Sequence, residues 1–282
     1  MMQVLPTPDV FVPGRATVGE GPVVDDRSGE LVWVDIPAGE LHRVLLDGGA
    51  QRTTGIGMSL GAVAVRERGG YVAAVRDGLG FIDDDGLSLA QPVLPRPECR
   101  MNDAKCDRAG RFWAGTTTMD FQPGRGTVVC WDPNAGVRTA LARLTLPNGL
   151  GWSPDDATFY LADSMEHIVL SARFDRDSGT LGEPRRLFDV DDGLPDGLCV
   201  DDEGHIWLAV WGAGEVRRYD PLGRAVAVVR LPVSQPSSCA FGPDGTLYIT
   251  SAAEGRDAEP LAGSVFALPT AYRGAPVGSF GG

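Results

Sequence analysis

The chain has 282 residues and a formal net charge of −13. That acidity excludes nucleic acid and an anionic membrane as partners, because both require cationic surface. Its 38 glycines, nearly twice the usual share, indicate a turn-dense β protein, and a 43 % apolar content is enough for a sizeable core.

The first residues, MMQVLPTPDVFVPG, lack a basic start and a long apolar stretch, so no secretion signal is expected there. A lone strand is predicted within Asp9 to Val18. Hairpin-like sentences then recur, each with two short apolar runs around an Asp/Gly/Pro turn. EGPVVDDRSGELVWVDI begins at Glu20, a worn copy SLGAVAVRERGGYVAAVRDG at Ser59, and NDAKCDRAGRFWAGTT at Asn102. LPNGLGWSPDDATFYLAD follows from Leu146, PDGLCVDDEGHIWLAV from Pro195 and SSCAFGPDGTLYITSA from Ser237. Between them lie outer-strand pairs such as GELHRVLLDG and GEVRRYDPLGRAVAVVRLP. The polar segment Ala253 to Pro260 reads as a mobile loop, and a last lone strand is expected over Val265 to Leu268.

The second run of each copy carries an aromatic: Trp33, Tyr71, Trp113, Tyr160, Trp207 and Tyr248, at steps of 38 to 47 residues. That is the length of one four-stranded propeller blade. A helical solenoid needs uninterrupted amphipathic segments, and Gly, Pro and Asp break nearly every run of about ten residues. An irregular β-sandwich is the remaining alternative. The expected fold is all-β, a six-bladed β-propeller forming a single domain over residues 1–282, with the N- and C-terminal strands sharing one blade so that no edge stays open.

Eleven to thirteen residues before each aromatic stand Glu20, Ser59, Asn102, Asn148, Asp196 and Ser237. Innermost strands line a propeller's channel, so equivalent positions at their starts form a ring at one mouth. Two carboxylates and two carboxamides there suit a hard divalent cation such as Ca²⁺, Mg²⁺ or Mn²⁺. Taken singly, Asn148-Gly149 and Asp196-Gly197 read as ordinary turn pairs.

The wording of these segments is similar to that of the gluconolactonase/regucalcin (senescence marker protein) family. GEGPVV…LVWVDI, RMNDAKCDRAGRFWAGT, LPNGLGWSPD and PDGLCVDDEGHIWLAVWGAGEVRRYDP carry the resemblance, which spans nearly the whole chain in order. It implies a six-bladed propeller with one divalent metal in the channel, Ca²⁺ first and Zn²⁺, Mn²⁺, Mg²⁺ or Fe²⁺ as alternatives, and hydrolysis of a sugar lactone. By the same resemblance Glu20, Asn148 and Asp196 ligate the metal, with Asp196 also the catalytic base. Arg100, Asn102 and Asp120 would contact substrate, although TTTMDFQPG departs from the usual wording around Asp120. Phosphotriester hydrolysis in the same channel and a non-enzymatic calcium-binding regulator are the rival readings.

Other residues carry less. None of the three histidines (His42, His167, His205) falls at a ring position. Ser59 and Ser237 lack the His/Asp partners of a nucleophile. The five cysteines show no C-x-x-C spacing, and free thiols in a reducing cytoplasm are expected. Of 25 basic residues only Lys105 is a lysine, which reads as coding bias.

Overall fold

The computed structural model describes residues 2–93 and 98–282. Among these, the strands form six sheets. Their innermost strands are Gly19–Asp25, Leu60–Val65, Cys99–Cys106, Pro147–Trp152, Leu194–Val200 and Pro236–Phe241, in blades 1 to 6. Each pairs antiparallel with the strand that follows it. The protein is a six-bladed β-propeller.

Closure follows the expectation. Asp9–Val12 pairs antiparallel with Val265–Pro269 as the outer strand of blade 6, with Asp9 opposite Ala267. The N-terminal strand is shorter than predicted, and Val18 makes only an isolated bridge to Ala252. One addition was not anticipated: Gln3–Val4 joins blade 5 as a parallel fifth strand beside Ala225–Arg230. Ala253 to Pro260 contains no strand, as expected of a loop, and its Glu259 accepts hydrogen bonds from the Ser234 backbone (2.8 Å) and hydroxyl (2.7 Å).

Apolar clusters fill the spaces between neighbouring blades, and the repeated aromatics supply much of their volume. Trp113 is fully buried between blades 3 and 4, with Trp152 edge-on at 5.9 Å. Truncating such a ring costs about 3–5 kcal/mol. The hairpin turn explains the rest of the repeated wording. Asp107 accepts from the backbone of Ala109 and Arg111 (both 3.0 Å), from the Trp113 indole (2.8 Å) and from the Arg111 guanidinium (2.6 Å). Asp201 does the same for Glu203, His205, Trp207 and Arg218 in blade 5. These aspartates pin the second-strand indole to its turn.

Candidate metal centre

Five of the six ring residues lie within the innermost strands, where the pairing is interrupted. The strand register shifts between Glu20 and Val23, Leu60 and Ala62, Met101 and Ala104, Pro147 and Leu150, Pro195 and Leu198, and Pro236 and Ser238. A β-bulge therefore sits at one level in all six blades, and a bulge re-aims side chains out of the alternating pattern. Asn148-Gly149 and Asp196-Gly197 are bulge pairs rather than turns. Glycine follows for a packing reason: a Cβ on Gly149 would lie 2.4 Å from the Leu198 nitrogen and 2.5 Å from the Asp196 carbonyl. The innermost strands of blades 4 and 5 approach too closely for any side chain.

Two buried aspartates fix the approach to this level. Asp163, ending the second strand of blade 4, accepts from the backbone of Thr145 (2.9 Å) and Leu146 (2.8 Å), just before Asn148. Asp35 in blade 1 accepts from Thr17 (2.7 Å) and Val18 (3.2 Å), just before Glu20.

Glu20, Asn102, Asp103, Asn148 and Asp196 are all buried. The Asn148 amide donates to Asp196, and to the Ser164 hydroxyl at 3.1 Å. Ser164 in turn donates to the Pro195 carbonyl at 2.7 Å. These bonds use the amide nitrogen and leave the Asn148 Oδ1 buried without a partner. Burial pushes the Glu20 carboxyl well above the usual carboxylate range, helped by the neighbouring charges of Asp196 and Asp103. Asp196 is raised well above that range too, first by burial and then by Asp103. Crowded carboxylates and an orphaned amide oxygen are what a hard cation would satisfy: its charge removes the repulsion, and the oxygen gains a partner. The residues fit a divalent metal.

These sites lie in a chain whose residues 18–253 match the profile of the SMP-30/gluconolactonase/LRE-like region. The chain belongs to the SMP-30/gluconolactonase/LRE-like family. Regucalcin of Danio rerio is 36 % identical over 254 residues, covering 87 % of this chain and 86 % of its own length. Regucalcin of Homo sapiens is 32 % identical over 280 residues, with 92 % and 93 % covered. Among solved structures, a calcium-binding protein, regucalcin, from Agrobacterium tumefaciens superposes with a TM-score of 0.92 at 30 % identity, over 100 % of this chain and 99 % of that one. A gluconolactonase from Xanthomonas campestris shares the fold at a TM-score of 0.77 and 22 % identity, over 92 % and 88 % of the two chains.

For this family member the remaining residues sort clearly. Arg100 stands beside the ring: its guanidinium donates to the Asn102 side-chain oxygen (2.6 Å) and the Met101 carbonyl (3.1 Å), and burial lowers its pKa against the pull of Asp196 and Glu20. It also lies 5.9 Å from the Phe121 ring, and Phe121 holds a left-handed φ of 52°. Asp120 is not brought into the ring. It is exposed on the rim, where the Gln122 amide donates to it at 2.8 Å. Ser237 is occupied in donating to the Gly19 carbonyl, which ties blade 6 to blade 1. Ser59 falls one residue before its strand, so Leu60 and Gly61 take the ring level in blade 2.

A second group, Asp201, Glu203 and His205, offers ligand atoms within 4.8 Å of one another. Arg218 already lies among them, 2.7 Å from Asp201 and 3.0 Å from His205, and also donates to Glu203. A fixed guanidinium supplies the cationic charge there, so the channel ring is the better metal centre. At the channel's other end a cavity of about 340 Å³ opens between the far ends of the innermost strands and the tail Arg273 to Ser279. Phe280 anchors that tail, fully buried against Trp131 at 4.6 Å. Among the described residues no helix is long and apolar enough to cross a membrane.

Sequence reasoning missed Asp35, Asp163 and Ser164. The repeated Asp ending the second apolar run (VWVD, FYLAD) was the available signal for the first two. Ser164 had none.

Proposed function

We propose that this protein is a metal-dependent hydrolase that opens a sugar lactone to its aldonic acid. The observation that carries the reading is the unpartnered Asn148 Oδ1, buried beside the Glu20 and Asp196 carboxylates at a channel mouth. Glu20, Asn148 and Asp196 would hold the cation. The all-oxygen set favours Ca²⁺ over softer ions, with Mg²⁺, Mn²⁺, Zn²⁺ and Fe²⁺ as alternatives. When bound, the cation polarises the lactone carbonyl and stabilises the negative charge that develops as water adds.

The chain's own groups do the rest. Asp196 would take the proton from the attacking water; a bound cation lowers the pKa of a carboxylate that touches it, so this role rests on the resemblance to the family. Arg100 and Asn102, joined by their 2.6 Å hydrogen bond, present donors to the ring oxygen and hydroxyls of the sugar. Asp120 contributes from the rim if the substrate reaches it.

The test is proton release from a panel of sugar lactones by chelator-treated protein, before and after each divalent cation is restored. Metal-restored turnover, abolished by Asp196→Ala and by Glu20→Gln, is expected. Full activity in either variant with the metal gone overturns the reading. The calcium-binding regucalcin relative favours a second reading, a calcium-binding regulator. Stoichiometric Ca²⁺ binding with no turnover on any lactone selects it.

A further inference from the structure

Lys105 is the one lysine in the chain, and it lies on the innermost strand of blade 3, just beyond the bulge that holds Asn102 and Asp103. Its half-buried side chain does not turn outward. It passes blade 4 and donates from Nζ to the Leu198 carbonyl of blade 5 at 2.7 Å. Leu198 is two residues beyond Asp196 on the same strand, so the ammonium stands roughly 6–7 Å deeper in the channel than the ring. Lys105 also lines the cavity at the far end. It therefore stands between the two compartments of the channel. A compact ammonium is costly to hold away from water unless opposite charge offsets the loss of hydration. Asp103, two residues back on the same strand, supplies that charge: burial raises its carboxyl's pKa, and the Lys105 ammonium opposes the rise.

We propose that Lys105 is a positioning residue: a fixed positive charge that forms the floor of the metal site and offsets the repulsion among Glu20, Asp103 and Asp196. Its charge is set against that of an incoming divalent cation, so it limits how tightly the ring binds metal while keeping the metal-free ring assembled. The proposal rests on the metal reading given above and adds a residue to it.

The experiment titrates Ca²⁺ and Mn²⁺ calorimetrically into chelator-treated wild type, Lys105→Met, Lys105→Gln and Lys105→Arg. Removing one charge at this separation is expected to tighten divalent-cation binding about tenfold in Lys105→Met and Lys105→Gln. Lys105→Arg should stay close to wild type. The Tm difference between metal-loaded and chelated protein should widen in both neutral variants, because only the metal-free form depends on the offsetting charge. A purely structural tether to Leu198 would instead lower both Tm values equally and leave affinity unchanged; that result overturns the proposal. If Lys105→Met fails to fold, Lys105→Gln, which keeps a donor for the Leu198 carbonyl, decides the matter. A wild type that binds neither cation overturns the metal reading itself, whereas equal affinities across the series overturn only the role of Lys105.

Discussion

Asp163 and Asp35 touch no ligand, yet each holds the two backbone N–H groups through which the chain enters a metal-bearing bulge. Buried N–H groups that lose their acceptor pay the full desolvation cost. Asp163→Ala should therefore destabilise the fold by about 3 kcal/mol. It should also weaken divalent-cation binding, because Asn148 follows within three residues of the released segment. Denaturant titration and calorimetry measure the two effects, and unchanged cation affinity at reduced stability would confine Asp163 to the fold. The residue types of the ring were legible in the sequence: Glu20, Asn102, Asn148 and Asp196 stand where the repeat register puts them. The clamps were not, because an aspartate after a strand reads first as turn chemistry. Asp120 was less legible for a related reason. Its position depends on the rim segment Met119 to Arg125, which has no counterpart in the repeat.

At the scale of strands, the repeated aromatics told the blade count because burial at a fixed step leaves a periodic signal. The closing pair was equally legible, since two lone strands at the chain ends have only each other. The bulges were not. A bulge arises between strands, and the contact that enforces it, blade 4 against blade 5, is set by the ring as a whole. Gly149 is the sharpest test. Gly149→Ala places a methyl 2.4 Å from the Leu198 nitrogen and must separate two innermost strands. A loss of about 2–4 kcal/mol is expected. Gly55, on the outer strand of blade 1, has open space within 4 Å of where a Cβ would stand, and no left-handed φ. Gly55→Ala should be neutral or slightly stabilising. Similar losses in both variants, read as Tm shifts, would mean that the close approach at Gly149 is not what the glycine serves.

Across the whole molecule, the ring couples metal to stability. Glu20 and Asp196 have folded-state pKa values raised by burial, so between the ordinary carboxylate range and those raised values the folded chain holds more protons than the unfolded one. Stability then falls as pH rises through that window. Metal-free protein should melt at a higher temperature near pH 5 than near pH 8, and added Ca²⁺ should flatten or reverse the slope. Melting curves in chelator and in excess Ca²⁺ check this; a metal-free protein whose Tm climbs over the same window contradicts it. The −13 net charge adds self-repulsion in the same direction, so Glu20→Gln in chelator should remove only part of the slope. The bulges themselves have a consequence beyond this ion. Every blade distorts at the same height, whether it presents Glu20, Gly61, Asn102, Asn148, Asp196 or Ser237. The distortion thus belongs to the wheel and not to its occupants, and the six seats are interchangeable in principle. Chemistry can rotate around such a hub by exchanging single side chains, while the spokes that carry them stay as they are.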